Sequence, residues 1–264
     1  MKAFLDSSVI ADATLKDHST RQRTNTFLRG FAECLAPQYA LKELAAGPIY
    51  AFLWFHNVLA SERSYDKALG KLHRLSRTPR RNLTSSAIEA LRAAEQTLAP
   101  SMRARLYWRT EAERADDIRT TLLTLVLRAW RRARRYSLSH PLRCHPLVEP
   151  DAGDPRGVRH SARRCSGPHI CDQAGHLRAA ADDLARICSH LTAHGKSEED
   201  RRRLRALELA AGGKVIGESE CRGLGDAVYA ILSPLTHVIV TTNTKDHEAL
   251  AALLGKTVER PPAG

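Results

Sequence analysis

The hydrophobic pattern is clearest at the two ends of the chain, where short apolar runs alternate with amphipathic segments. Runs typical of buried strands lie at Lys2–Leu5, Cys34–Pro37, Lys214–Gly217, His237–Thr241 and Thr257–Glu259. The spacing between them predicts helices at about 19–33, 38–59, 225–232 and 245–254, the second disturbed at Gly47-Pro48. This alternation of strands and helices predicts an α/β fold with a parallel sheet.

The middle of the chain has a different, mostly helical pattern. Amphipathic segments lie at about 61–75, 84–98, 101–136, 176–193 and 197–210. Ser197, followed by Asp200, is an N-terminal capping signature for the last of them. A loop rich in Pro, Gly, His and Cys lies at about 139–175. We therefore predict one α/β domain formed by residues 1–60 and 211–264, interrupted by a helical insertion at 61–210.

The charge of the chain is concentrated in that insertion. The formal net charge is +12. Residues 61–210 contain 30 Lys and Arg against 18 Asp and Glu, whereas the remainder contains 11 of each. A basic segment indicates an anionic partner, most commonly nucleic acid. The excess of Arg over Lys, 32 against 9, also fits coding bias, so charge alone leaves both explanations open.

Membrane and export signals are weak in this sequence. The longest apolar run, 122–130, is too short to span a bilayer and contains Arg128. Asp6 interrupts the apolar N-terminal residues where a signal peptide requires an unbroken apolar region. We expect a cytoplasmic protein with no membrane partner.

Acidic and amide side chains follow several of the predicted strands. Asp6 ends the first strand, Glu43 lies early in the helix after the second, and Asp226 opens a helix after the third. Asn243 and Asp246 follow the His237–Thr241 strand. Ligands of parallel sheets bind beyond the carboxyl ends of the strands, so these groups are expected to converge. Converging carboxylates repel one another unless a hard cation such as Mg²⁺ or Mn²⁺ neutralises them.

A cation held in this way activates water and orients a phosphate for in-line attack. One carboxylate after a strand is more simply explained as a helix cap, but agreement at four strand ends favours a metal site. Ser7, Ser8 and Thr242 lie at the same strand ends, where their hydroxyls either bind ligand oxygens or cap backbone groups.

Four short segments at these positions resemble the PIN-domain nucleases, including the toxins of type II toxin–antitoxin pairs. They are Phe4–Ser8, Leu41–Leu44, Gly225–Ala227 and Ile239–Asp246. The resemblance covers the two flanking segments only. It implies a PIN-like three-layer fold with a five-stranded parallel sheet, a metal-dependent ribonuclease activity on single-stranded RNA, and frequent homodimers.

The resemblance also implies roles for individual residues. Asp6, Glu43 and Asp226 match the first three acids of the family by position, and either Asn243 or Asp246 matches the fourth. Asp6 and Asp226 are then expected to hold Mg²⁺ or Mn²⁺ directly. Glu43 either binds the metal or positions water, and Asn243 or Asp246 completes the site.

Two arginine clusters in the insertion are candidate nucleic-acid contacts, because basic side chains that displace counterions give sequence-independent affinity. They are Arg131, Arg132, Arg134 and Arg135 in one segment and Arg201, Arg202, Arg203 and Arg205 in another. A solvated helix face and favourable contact with a helix C-terminus are the alternative explanation, which fits the first cluster better than the second. An acidic antitoxin or complex subunit is an alternative partner.

The Cys- and His-rich loop is a weaker candidate for structural Zn²⁺. Cys165 and His169 form one pair of possible ligands, and Cys171 and His176 form another. No Cys-x2-Cys pair is present, and the pattern favours independent, partly exposed thiols and imidazoles in a loop over a zinc site.

The sequence thus favours a cytoplasmic, Mg²⁺- or Mn²⁺-dependent endoribonuclease acting as a toxin or defence effector. One alternative is a non-catalytic PIN-like protein that binds nucleic acid or serves as a scaffold, because Asn243 is not acidic. The other is a DNA nuclease with the same metal site, since this chemistry does not need a 2′-hydroxyl.

Overall fold

The sheet of this protein is parallel and has its first strand in the interior. The structure, a computed structural model, describes residues 1–77, 81–98, 110–136 and 172–262. Within them, four strands pair in the order β2-β1-β3-β4, and all pairs are parallel. The strands are β1 (Lys2–Leu5), β2 (Glu33–Leu35), β3 (His237–Val240) and β4 (Val258–Glu259).

Helices connect these strands and form most of the remaining described structure. The first group is α1 (Ser7–Thr14), α2 (His18–Leu28), α3 (Gln38–Leu44), a π-helical turn (Ala45–Ile49), α4 (Tyr50–Glu62), α5 (Tyr65–Ser76) and α6 (Arg81–Thr97). The second group is α7 (Glu111–Tyr136), α8 (Gln173–Ala179), α9 (Ala181–His194), α10 (Glu198–Ala211), α11 (Glu218–Leu224), α12 (Ala227–Leu232) and α13 (Thr244–Leu253). None of the helices in the described ranges is long and apolar enough to cross a membrane.

The predicted α/β class and parallel sheet are confirmed, but one of the five predicted strands is wrong. Lys214–Gly217 has no strand pairing, and the described residues contain four strands instead of five. Val215 is 54% exposed, whereas Ile216 is buried. The segment therefore anchors one side chain in the core and forms no sheet contact.

Two helix predictions also need correction. The segment predicted as helical at 19–33 ends earlier, at Leu28, because Glu33 belongs to β2. The helix predicted at 176–193 is two helices, α8 and α9, separated at Ala180. The capping signature at Ser197 is confirmed: its hydroxyl accepts from the Asp200 backbone, and the Asp200 carboxylate accepts in return.

The disturbance predicted at Gly47-Pro48 is also confirmed. Pro48 lacks a backbone N–H and lies inside the π-helical turn that joins α3 to α4. The chain therefore stays helical from Gln38 to Glu62 while changing the direction in which side chains project on either side of the turn.

The hydrophobic core is continuous across the described parts of the chain. Buried side chains of β1 and β3, such as Phe4 and Ile239, belong to the same cluster as Trp130 of α7 and Leu207 of α10. Helix α4 packs against both α6 and α7. The helices of the predicted insertion thus share one core with the sheet; the domain boundary itself stays a prediction.

Candidate active site

The centre of the candidate site is Asp6, which follows β1 and lies at the N-terminus of α1. Its backbone N–H donates to the Val240 carbonyl at 3.0 Å, which fixes it beside the end of β3. Its buried carboxylate accepts from Ser8 Oγ and Thr241 Oγ1, both at 2.7 Å. Burial alone would raise the Asp6 pKa, but hydrogen bonds from His247, Thr241 and Ser8 lower it to about 2. Asp6 is therefore ionised at neutral pH.

Glu43 projects from α3 toward the same point. Its Oε2 accepts from Tyr229 OH at 2.6 Å and from Ser7 Oγ at 3.0 Å. Ser7 Oγ also lies 3.1 Å from Asp6 Oδ1, so one hydroxyl connects the two carboxyl groups. Burial and the negative charge of Asp6 raise the Glu43 pKa to about 7. Glu43 thus exchanges its proton near neutral pH.

Asp226 reaches the site from a turn between two helices. Because the predicted strand at 214–217 is not formed, Asp226 does not follow a strand as expected. It follows α11 and Gly225, whose φ of +46° is in the left-handed region that favours glycine. Its carboxylate is 22% exposed and lies 3.3 Å from Arg203 Nη2.

A buried histidine lies between the two aspartates. His247 Nε2 is 3.1 Å from Asp226 Oδ1 and 3.6 Å from Asp6 Oδ2. Burial by itself would lower the His247 pKa, but hydrogen bonds and attraction from Asp226 and Asp6 outweigh it and raise the pKa to about 9. An imidazolium therefore neutralises part of the acidic charge at neutral pH.

Arg203 supplies a second cation from α10. Its side chain is 8% exposed and lies within 4 Å of Glu199, Asp200 and Asp226. This burial against carboxylates conflicts with the predicted role of Arg203 as a nucleic-acid contact. Arg201, Arg202 and Arg205 are exposed on the same helix, and their predicted role stays a prediction.

The candidates for the fourth position lie at the rim. The Asn243 side chain donates to Asp246, and both residues are exposed. The Asn243 backbone N–H donates to Thr241 Oγ1 at 3.1 Å, which places Asn243 one hydrogen bond from a direct partner of Asp6. Among the described contacts, no hydrogen bond or ion pair joins Asp246 to Asp6, Glu43 or Asp226.

The serine and threonine hydroxyls at the strand ends serve mainly the carboxylates. Ser8 donates to Asp6, and the single hydroxyl proton of Ser7 is shared between Asp6 and Glu43. Ser8 Oγ also accepts from the Thr242 backbone N–H at 3.2 Å, so the Thr242 contact comes from its main chain. These bonds fix the Asp6 carboxylate from several directions.

Sequence reasoning missed His247, Tyr229 and the role of Arg203. Helical spacing held a signal for two of them, because residues three or four apart share one face of a helix. Tyr229 lies three residues after Asp226, and His247 lies four residues after Asn243. Arg203 gave no comparable signal, since it stands in an arginine-rich run and its helical spacing points to Glu199 and Asp200 of its own helix.

The donor set suits a hard cation, although its present arrangement does not surround a cation position. Carboxylate oxygens are the ligands that Mg²⁺ and Mn²⁺ prefer, and three carboxylates meet here. In the described part of the chain, however, no group of three or more His, Cys, Asp or Glu side chains is placed to hold a metal. The Asp6 and Asp226 oxygens that a metal would require face His247 instead.

The predicted zinc ligands are mostly outside the described residues, where Cys165, His169 and Cys171 lie. His176 belongs to α8 and is half-buried. Comparison with known proteins adds no assignment: no protein-family model, no curated protein and no solved structure matches the chain.

Proposed function

We propose that this protein is a metal-dependent nuclease that hydrolyses phosphodiester bonds of RNA. The observation that carries the proposal is the meeting of Asp6, Glu43 and Asp226, linked through Ser7 and His247, at the carboxyl edge of a parallel sheet. Three acids from distant parts of the chain, two of them held by hydroxyl donors and the third by Arg203 and His247, are more than helix capping requires.

In the proposed reaction, Asp6 and Asp226 would hold Mg²⁺ or Mn²⁺, with Asn243 or Asp246 at the rim. The metal, when bound, polarises the phosphate and lowers the pKa of water. Ser8 and Thr241 keep the Asp6 carboxylate oriented and ionised. Glu43 would accept the proton of the attacking water on its other carboxyl oxygen, Oε1, because Oε2 already accepts from Tyr229 and Ser7, and its pKa of about 7 suits a general base at neutral pH.

Cleavage assays test this proposal. We expect the protein to cut labelled single-stranded RNA with Mn²⁺ or Mg²⁺ and not with EDTA, and single-stranded DNA in the same assay separates the DNA-nuclease alternative. Asp6→Asn and Asp226→Asn should each lower the rate by about a hundredfold or more, because each loses an anionic metal ligand. Asp116→Asn, at an exposed carboxylate on α7, should cut like the parent. Parent-like cleavage by both site variants would overturn the metal assignment.

A non-catalytic, RNA-binding or scaffold function is the second candidate. The specific observation in its favour is that His247 and Arg203 already neutralise the carboxylates that a metal would need. This candidate predicts RNA binding without cleavage under any metal condition.

We further propose that the protein acts as a toxin or defence effector, that it forms homodimers, and that it assembles with an acidic antitoxin or complex subunit. Induced expression should then arrest growth, and Asp6→Asn should relieve the arrest at equal protein level. Arrest that persists with Asp6→Asn would separate toxicity from the carboxylate site.

A further inference from the structure

A groove of about 500 Å³ lies between α2 and α7 and is lined by four arginines. Arg21 and Arg29 come from α2 and its C-terminal end, and Arg128 and Arg132 come from α7. Its other lining side chains are small or polar, and Gln22, Asn25 and Thr26 are among them. The groove is thus a concave surface composed largely of hydrogen-bond donors.

No carboxylate lines this groove. Among the described residues, Arg29 and Arg128 form no ion pair, while Arg21 and Arg132 donate to the neutral oxygens of Thr97 at 3.2 Å and Tyr136 at 3.1 Å. Burial and then the nearby charge of Arg128 lower the Arg21 pKa, and the opposing effect of the Asp17 carboxylate is smaller than either.

The arginines of α10 provide a contrast. Arg201 lies 3.4 Å from Glu198, and Arg203 lies 3.1 Å from Glu199. These acids lie on the same helix and offset the arginine charge locally. Of the two regions, the groove is therefore the one whose arginines remain available to an external anion.

The groove is structurally connected to the candidate active site. The Ala36 backbone N–H, directly after β2, donates to the Tyr136 carbonyl at 2.9 Å, so the end of α7 touches the sheet edge from which α3 and Glu43 follow. Arg132 is one helical turn before Tyr136. On the other side, α1 runs from beside Asp6 to Thr14 at the groove, a length of about 10 Å.

We propose that this groove binds the sugar-phosphate backbone of single-stranded RNA. Guanidinium groups pair with phosphate oxygens, and the amide and hydroxyl groups between them suit ribose and phosphate. An acidic protein partner fits less well, because interface cores are usually apolar or aromatic and no large aliphatic side chain lines the groove. The proposal rests on the proposed function for the type of polymer, but it concerns binding and not cleavage.

Fluorescence anisotropy with a labelled, unstructured RNA 20-mer in EDTA tests the proposal without cleavage. Replacing Arg21, Arg29, Arg128 and Arg132 by Ala should weaken binding at least twentyfold. The slope of the logarithm of the binding constant against the logarithm of the salt concentration should become less negative by about 3, since each phosphate contact to a single strand contributes about 0.7. The double variant Arg29→Glu/Arg128→Glu changes only two exposed positions and should also weaken binding at least tenfold. It tests the groove even if the quadruple variant does not fold.

A matched variant removes four exposed arginines outside the groove and outside both predicted arginine clusters, namely Arg74, Arg77, Arg178 and Arg186, and so changes the net charge equally. It should lose less than threefold in affinity. Equal losses of RNA affinity in the two variants would overturn the assignment to the groove. The assignment would also be overturned if the groove variant lost binding to a labelled poly-glutamate peptide but still bound RNA like the parent. The binding assay in EDTA does not depend on a metal, so it is independent of cleavage. A protein that binds RNA through the groove but does not cleave it with Mn²⁺ or Mg²⁺ would contradict the proposed nuclease function and support the present inference.

Discussion

Tyr229 and Tyr39 are two buried tyrosines with different hydrogen-bond acceptors, and the difference predicts unequal effects of mutation. Tyr229 OH donates to the Glu43 carboxylate at 2.6 Å, whereas Tyr39 OH donates to the Cys221 carbonyl at 2.8 Å. Hydrogen bonds to charged groups are the stronger ones. We expect Tyr229→Phe to lower the free energy of unfolding by about 2 kcal/mol and Tyr39→Phe by about 1 kcal/mol.

Urea unfolding of both variants at pH 8 measures this difference, because Glu43, with a pKa of about 7, is mostly ionised there. Tyr229→Phe should also slow RNA cleavage, since it removes a group that orients Glu43. Equal destabilisation by the two substitutions would mean that Tyr229 does not support a charged acceptor.

His247 allows a test of the metal site that does not depend on activity. His247→Gln removes the cation between Asp6 and Asp226, so in EDTA the variant should lose about 3 kcal/mol of stability. If these carboxylates bind metal, Mn²⁺ should raise the melting temperature of the variant more than that of the parent, because the ion replaces the missing charge.

The matched control for this experiment is His56→Gln, which removes another buried imidazole whose side chain contacts Asn57 and not the three acids. Mn²⁺ should raise the melting temperature of this control variant no more than it raises that of the parent. A His247→Gln protein with no greater response to Mn²⁺ would favour the non-catalytic candidate.

The individual site residues were predictable to different degrees. Asp6 and Glu43 follow strands, so position alone predicted that they approach each other. Asp226 was predicted to approach them, but for a partly wrong reason, since it comes from a turn between helices. His247 and Arg203 depend on where α13 and α10 dock, and that packing has no local signature in the sequence.

At the scale of elements, burial on both faces separates the correct strand prediction from the wrong one. The four residues of β3 are all buried, and β3 pairs with β1 and β4. In Lys214–Gly217 two apolar residues gave a similar local pattern, but Val215 faces solvent. Short apolar runs cannot be assigned by periodicity alone, because tertiary contacts decide their state.

The start of α2 gives an element-scale prediction with a pH dependence. The Asp17 carboxylate caps α2 by accepting from the Thr20 backbone N–H at 2.9 Å and from the hydroxyls of Ser19 and Thr20. These hydrogen bonds lower the Asp17 pKa, and the bond from Ser19 contributes most. At pH 7, Asp17→Ala should cost about 1 kcal/mol of stability.

Because the Asp17 pKa is lower in the folded protein than in the unfolded chain, its charge stabilises the fold at any pH above the pKa of the unfolded chain. This stabilisation is lost as the pH falls toward the pKa of the folded protein. The difference between the parent and Asp17→Ala should therefore shrink below about pH 3.9. Urea unfolding at pH 7 and pH 3 measures it. Ser64→Ala, which removes the non-ionisable cap of α5, should cost the same at both values. A pH-independent Asp17→Ala effect would contradict the charged cap.

At the scale of the whole molecule, the shared core predicts cooperative unfolding. Trp130 lies in the predicted insertion, is fully buried and belongs to the same cluster as β1. Trp130→Ala should cost about 3–5 kcal/mol and shift a single unfolding transition. Circular dichroism and calorimetry together measure this, and two separated transitions, only one of them shifted, would instead indicate an independently folding insertion.

Charge counted along the sequence describes the molecule less well than charge in space. The count assigned all excess to residues 61–210, yet the arginine groove draws Arg21 and Arg29 from the first sixty residues. Helix packing brings them beside Arg128 and Arg132, while acids on α10 offset the arginines there. The sequence therefore indicated a basic protein but contained only half of the groove's arginines in the segment that it marked as basic.

The position of β1 inside the sheet also has a consequence for protein synthesis. Asp6 contacts Thr241, which is 235 residues later in the chain, and β1 cannot pair with β3 until β3 has been translated. Pairings between such remote segments form late. A nascent chain therefore carries Asp6 and Glu43 without Asp226 or His247 until residue 247 has been translated, so the ribosome is not exposed to the complete proposed site before that point.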